Sequence, residues 1–214
     1  MDETAARHRE AEHGEAEHGA AAQREWMLAE EGAPIALMAT IWADTAGLHD
    51  SLTDTEDLTA FCDAVTIERE GTTAGEADLE LARQLRDALR RLAAQVTADD
   101  RQQARSATAD VETAVHDVNN VLANLPAPRL ALAGGKLRQS STSGASSIAA
   151  GLAHIAEDAI GLLTGPDADK LRACHAPGCV LYFVKTHPRR EWCSVTCGNR
   201  VRAARHYEKV RSAR

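Results

Sequence analysis

Four of the five cysteines in this 214-residue chain stand in its last fifth, as Cys174-x4-Cys179 and, thirteen residues further on, Cys193-x3-Cys197. Two close pairs joined by a short insert form the pattern of a structural four-thiolate zinc site. Each pair brings two sulfurs to one metal, and the insert folds back to join the pairs. Pro177-Gly178 permits a tight turn between the first two sulfurs. Val180 to Val184 and Glu191-Trp192 read as the two strands of a hairpin around His187 to Arg190, and helix formers take over from Ser194. On that helix Cys193 and Cys197 are spaced i, i+4, so both thiolates project from one face of the first turns, where the positive end of the helix dipole stabilises them. Knuckle, hairpin and helix in this order give a treble-clef-like or zinc-ribbon-like finger around one structural Zn²⁺. His175, His187 and His206 could replace a cysteine, but four sulfurs suffice, and such a site leaves no open position for catalysis. A disulfide framework and redox sensing through released zinc are the competing readings.

Charge divides the chain at about the same place. Residues 169–214 hold eleven Lys and Arg against three Asp and Glu, a net of +8, whereas the first 168 carry a net of -16. Four of the seven aromatic residues also lie in the tail. The division expected is therefore a segment of 1–24, a domain of 25–168 and a finger of 169–214 with its own nucleus. The start, MDETAARHRE, is charged where a secretory signal needs an apolar run, and no stretch of about 18 uncharged apolar residues exists. A soluble cytoplasmic protein without membrane partners is expected. That compartment disfavours disulfides.

Residues 1–24 include a tandem EAEHG-EAEHG, from Glu10 to Gly19, with no apolar face, and read as a solvated or tag-like segment. Order is expected from Ile35 to Trp42, a short helix or buried apolar run, then a polar connector from Asp44 to Asp57 and a short helix around Leu58 to Val65. Cys62 within it reads as a small core residue. Leu81, Ala82, Leu85, Leu89, Leu92, Ala93 and Val96 recur at helical spacing. A second helix is expected after the run Thr97-Ala-Asp-Asp, which offers an N-cap; it carries Val111, Val115, Val118, Leu122 and Leu125 up to Pro126. Two such helices with a short link pack antiparallel.

Leu130 to Leu137 alternates around Gly134-Gly135 and predicts a β-hairpin. Ser140 to Ser147 reads as a polar loop. A last helix carries Ile148, Leu152, Ile155, Ala159, Leu162 and Leu163, with His154 beside the stripe, and stops at Gly165-Pro166. The fold class is thus mainly α with a small β-hairpin, a helical N-terminal domain followed by the finger. Residues 25–168 contain no Gly-rich phosphate loop, nucleophile elbow or His-Glu-x-x-His, so an enzyme is not expected.

Cys174-x4-Cys179, Trp192-Cys193-Ser194 and the tetrapeptide Cys197-Gly198-Asn199-Arg200 resemble the CGNR zinc finger, a C-terminal module of bacterial proteins. The lead-in Leu163 to Asp169 and Leu171-Arg-x-Cys174 is similar to that family as well. Residues of about 33 to 165 resemble in length and element order the helical ABATE domain that precedes such fingers. Where that domain tends to have an Asn-Thr pair this chain has Asp44-Thr45, and His187-Pro188 replaces a Ser-Arg-Asn-like turn. The resemblance implies a stress-induced transcription regulator that binds DNA.

The residues carry an independent argument for nucleic acid. With about 100° per residue, Cys193, Cys197, Val201 and Ala204 face the metal, while Arg202, Arg205 and Lys209 form a stripe on the other side. With Arg189 and Arg190 on the hairpin turn, that stripe could straddle phosphates, or it could be a solvated helix face. Arg200 lies near the thiolates, whose complex with zinc has a charge of about -2; it is placed either as a donor to sulfur or as a DNA contact. Gly198 would permit close packing, Asn199 would bond locally, and Trp192 and Tyr182 would pack under the zinc. DNA is the expected partner, with the acidic domain as sensor for a small-molecule effector or as a homodimerisation unit. The alternatives are a zinc-stapled protein-interaction module, docked even on the acidic domain of its own chain, and a small-molecule-binding protein without DNA binding.

Overall fold

The fold was obtained as a computed structural model, which describes residues 26–142 and 144–212. The tandem EAEHG segment lies outside the described residues. A 3-10 turn, Trp26–Glu31, leads into α1, Ala33–Ala39, which starts on Pro34 and buries Ile35, Ala36, Leu37 and Met38. The apolar run from Ile35 to Trp42 therefore splits, for its end forms β1, Ile41–Ala43, paired antiparallel with β2, Leu48–Asp50. Part of the stretch expected as a polar connector is thus strand. Asp44 closes the turn by accepting from the Ala46 amide at 2.7 Å and from His49 Nε2 at 2.9 Å.

Helix α2, Thr55–Ala64, begins at Asp54, whose carboxylate accepts from the amides of Glu56 and Asp57, a cap that satisfies two otherwise unpaired donors. Its Cys62 is fully buried, and burial pushes the thiol up to about 11. It is an inert core residue, as expected.

The central element is α3, Glu76–Val96, five residues longer at its start than the apolar repeat indicates. It packs against α1, α2, α4 (Val111–Leu122) and α5 (Ser147–Thr164). Thr97 does not start the next helix. Its hydroxyl donates to the Ala93 carbonyl at 2.7 Å and ends α3, and α4 is capped instead by Asp110, which accepts from the Thr113 amide at 2.8 Å. Residues 97–110 form a connector with a 3-10 turn, Gln102–Ala104. The core-facing side of α4 also differs from the one expected. Ala114, Val118 and Val121 face the core while Val115 is exposed. Between α4 and α5, β3 (Ala127–Ala133) and β4 (Lys136–Thr142) form the expected hairpin around Gly134-Gly135. Ser140 to Thr142 belong to the strand, so the polar loop is shorter than expected. Helix α5 is capped by Ser146 and ends at Gly165.

The finger departs from expectation in its strands. β5, Leu171–Ala173, pairs with β6, Tyr182–Val184, so the hairpin encloses the first cysteine pair, and Glu191-Trp192 forms no strand. Alternation along β5 buries Leu171 and Ala173 and exposes Arg172. Leu171, Ala173 and Tyr182 join the same core as the helices, whereas the cysteines form a second cluster with Ala176, Phe183 and Val201. The last helix is α6, Val195–Ser212.

Two arginines of α3 lie on its buried side. Arg90 is 1% exposed and donates to the carbonyls of Met38, Ala104 and Val180 at 3.0, 3.4 and 3.2 Å, thereby joining α1, the 97–110 connector and the finger. Burial lowers its pKa, with the adjacent Tyr182 opposing. Replacing Arg90 with Met fills the volume but leaves three carbonyls without their donor. The expected loss is about 2–5 kcal/mol, read by urea denaturation of the full chain. A change under about 0.5 kcal/mol would refute this role.

Candidate metal centre

The four cysteine sulfurs of Cys174, Cys179, Cys193 and Cys197 lie within 4.8 Å of one another, and all four residues are buried. A tetrahedron with Zn–S bonds of about 2.3 Å has edges of about 3.8 Å. The Cys179–Cys193 and Cys193–Cys197 separations are 3.8 and 3.4 Å. No described cysteine is in a disulfide. The set fits one zinc ion by both donor chemistry and spacing.

Local backbone chemistry makes each half of the site. In the first knuckle the Cys179 amide donates to the Ala176 carbonyl at 2.9 Å, Gly178 adopts φ of +72°, and the Cys174 amide bonds to the Leu181 carbonyl. In the second, Ser194 caps α6, its hydroxyl accepting from the Cys197 amide at 3.2 Å. Cys193 therefore sits just before the helix rather than within it, while Cys197 occupies the first turn. The Cys193 amide points at Cys174 Sγ, 3.5 Å away.

Arg200 donates through Nη2 to Cys197 Sγ at 2.9 Å. Hydrogen bonds from Cys174, Cys179 and Cys193, with Arg200 adding to them, hold the Cys197 thiol far below its ordinary range. Cys179 and Cys193 are pushed the other way, first through their bonds to Cys174. Cys174 is lowered to about 7, first by its bond with Cys179, so the protons that zinc must displace are chiefly those of Cys179 and Cys193. A Cβ on Gly198 would lie 3.3 Å from both Trp192 and Arg202, so glycine allows the close approach expected of it. Asn199 accepts from Arg202. Trp192 packs on the cysteine cluster, whereas Tyr182 does not lie under the metal, since it belongs to the helical core.

Residues that the sequence reading missed hold this centre to the body. Arg101 donates through Nη1 to the carbonyls of Cys174 and Cys179 at 2.5 and 2.6 Å. Its Nε and Nη2 make a bidentate pair with Asp99 at 2.6 and 2.7 Å, and Tyr182 donates to the same carboxylate at 2.9 Å. Burial opposes ionisation of Asp99, but Arg101 and then Tyr182 outweigh it and lower its pKa. The Thr97-Ala-Asp-Asp run that reads as an N-cap thus supplies the clamp on the knuckle. On the far side Arg190 is similarly occupied. It lies 4.9 Å over the Phe183 ring, bonds to Glu31, and donates to the carbonyls of Val184, Trp192 and Cys193.

The remaining cations face outward. Arg202, Arg205 and Lys209 are exposed along α6, as is Arg189 on the turn, while Val201 is buried and Ala204 half-buried, which matches the helical wheel. No ion pair among the described residues involves Arg205, Lys209 or Arg189. The finger rests on the acidic body without masking this face. His175, His187 and His206 are exposed, and so is the ring of His154, at the rim of α5 beside Glu157. Between finger and body a cleft of about 410 Å³ is lined by Leu28, Trp42, Thr45, Leu181, Thr196 and Arg200, among others.

Comparison with protein families agrees with the geometry. A family model named ABATE, described as a putative stress-induced transcription regulator, matches residues 31–166. The chain belongs to the ABATE family. A second model, the CGNR zinc finger, matches residues 170–210, which contain all four clustered cysteines of this ABATE protein. Among curated proteins none matches the chain.

Two outcomes follow. Cys179→Ser should release zinc, measured by metal analysis, and loosen the chain from about residue 170 onward while α1 to α5 stay folded by circular dichroism; full retention of zinc would refute the site. Because the folded pKa of Asp99 is lowered, its contribution is complete above the ordinary carboxylate range and lost as pH falls through the folded value. Asp99→Asn, which strands the Arg101 charge, should cost about 3 kcal/mol at neutral pH and flatten the acid limb of the stability curve. An unchanged acid limb would show that the clamp contributes nothing.

Proposed function

We propose that this ABATE protein is a bacterial, cytoplasmic transcription regulator rather than an enzyme, binding DNA through α6 of its zinc finger. The observation that carries the reading is the exposed basic face of Arg202, Arg205 and Lys209 on a helix whose first turn the metal centre fixes. The net charge of +8 over residues 169–214 supplies the long-range attraction. Zinc, when bound, supplies folding free energy and a rigid helix origin. Arg189 extends the phosphate contacts from the turn. Arg190 serves the fold, since its donors go to main-chain carbonyls and Glu31, and Arg200 serves the thiolates.

The body is the sensor in this reading. The cleft beside Arg200 joins β1 to the first turn of α6, so a small-molecule effector seated there would bias the orientation of the reading helix. No helix among the described residues is long and apolar enough to cross a membrane. The family description supports the regulatory role.

The test uses the full zinc-loaded chain, because Leu171, Ala173 and Tyr182 would be stripped of their cover in an isolated finger. Duplex DNA affinity should fall steeply with salt. Changing Arg202, Arg205 and Lys209 to Ala should weaken binding for all sequences and reduce the salt slope by roughly one per lost phosphate contact, with zinc content unchanged. Arg200→Ala should instead weaken zinc retention. No binding at low salt overturns the DNA role. Normal binding by the triple variant, with loss in Arg200→Ala at full zinc content, would make the tetrapeptide the reader.

A further inference from the structure

The β3–β4 hairpin is the least supported element of the fold. It forms a sheet of two strands only, and an isolated two-stranded hairpin is marginal in water. Strand alternation puts Leu130 and Leu132 on one face, with Leu137 directly across from Leu132. These leucines are 76, 73 and 69% exposed. Arg129, Lys136 and Arg138 occupy the opposite face. Residues 127–142 contain no acid, although they lie in a stretch, 1–168, of net charge -16. A hairpin with an apolar stripe on one face and cations on the other thus projects from an acidic body.

Pro126 and Ser141, at the foot of the hairpin, form part of the wall of a groove of about 670 Å³. Its floor includes the half-buried Val65, Ile67 and Ala150, and its rim the exposed carboxylates of Glu68, Glu70 and Asp158. The groove offers the hairpin apolar side chains below and carboxylates around the edge, with the hydroxyls of Ser146 and Ser147 and the His154 ring between them. The hairpin of the same chain does not fill it, because seven-residue strands carry the tip about 20 Å from the foot. The tip of an identical chain can.

We propose that this protein forms a two-fold dimer by reciprocal arm exchange, the β3–β4 hairpin of each copy seating its leucines in the acid-rimmed groove at the foot of the other's hairpin. Placing arm and groove side by side lets one symmetry operation satisfy both contacts, the requirement of an isologous interface. Arg129, Lys136 and Arg138 lie on the outer face of the seated arm, so the net positive charge of the hairpin is drawn to the rim of Glu68, Glu70 and Asp158 at longer range, which steers register and direction more than affinity. The leucines supply most of the free energy. The proposal goes beyond DNA recognition and does not require it.

Sedimentation equilibrium of the full zinc-loaded chain without DNA tests this directly. The wild type should show a monomer–dimer equilibrium. Leu132→Asp with Leu137→Asp should weaken it by on the order of a hundredfold, and Glu68→Lys with Glu70→Lys should weaken it from the groove side with the hairpin intact. Mixing the two variants should restore association between unlike chains only, since one intact arm then meets one intact groove. A wild type that is monomeric throughout, or a dimer indifferent to both pairs of substitutions, overturns the proposal. So does a monomer whose leucine variant loses DNA affinity, because the hairpin would then face nucleic acid.

Discussion

The seating of the zinc knuckle on the helical body centres on the guanidinium of Arg101, which bridges the two. Arg101 donates to the carbonyls of both cysteines in the first knuckle and is held in that position by two bonds to the buried Asp99. A four-thiolate zinc site concentrates negative charge, and its backbone carbonyls add to it. A cation on the outside of the knuckle is therefore favourable twice, as a donor to acceptors that would otherwise be buried and unpaired and as a counter-charge. Asp99 neutralises the cation in turn and takes the Tyr182 hydroxyl as its third partner. The arrangement leaves no member of the group unpaired, the condition under which a buried polar network rigidifies rather than destabilises.

Several features follow from that clamp. With the knuckle fixed, β5 and β6 turn Leu171, Ala173 and Tyr182 into the helical core, so helices and finger share apolar cover although they match separate family models. Arg90 reaches the Val180 carbonyl from α3 on one side, and Glu31 meets Arg190 and the Val184 amide on the other. Cysteine geometry then sets the origin of α6. Beyond Ala204 every described side chain of that helix is exposed, so its direction is determined almost wholly at its first turns, by the Ser194 cap, the Cys197 thiolate and Arg200.

The parts of this arrangement that the sequence displays are those in which chemistry and spacing are local. The Cys174-x4-Cys179 and Cys193-x3-Cys197 pairs, the α5 stripe from Ile148 to Leu163, the Gly134-Gly135 turn and the outward stripe of α6 all lie within a few residues of their causes. The clamp does not, for Asp99 and Arg101 meet partners more than seventy residues away, and the Thr97-Ala-Asp-Asp run is an equally good helix start by local rules. Strand pairing failed for a related reason. Val180 to Val184 has the composition of a strand, but composition does not say whether the partner precedes or follows, and here it is Leu171–Ala173. One missed signal was available. Arg86 and Arg90 share the helical face of Ala82, Leu89 and Ala93, and arginine within an apolar stripe marks carbonyls or carboxylates waiting across the interface.

Arginine suits this interface because of what the body must bury against the finger. A small finger ends its strands and knuckles in main-chain carbonyls, and a purely apolar helical surface would leave those acceptors unsatisfied at a cost of about 1–3 kcal/mol each. Lysine offers one point charge and is strongly hydrated. The planar guanidinium, with five donors, spans carbonyls from separate segments at once, as Arg90 does for Met38, Ala104 and Val180. Segregated charge completes the arrangement. Arg90, Arg101 and Arg190 join finger and body, and Arg86 pairs with Asp50 and Asp87 within the body, whereas the arginines at 189, 202 and 205 project into solvent. The finger thus meets an acidic body through paired arginines and still presents an unneutralised basic face.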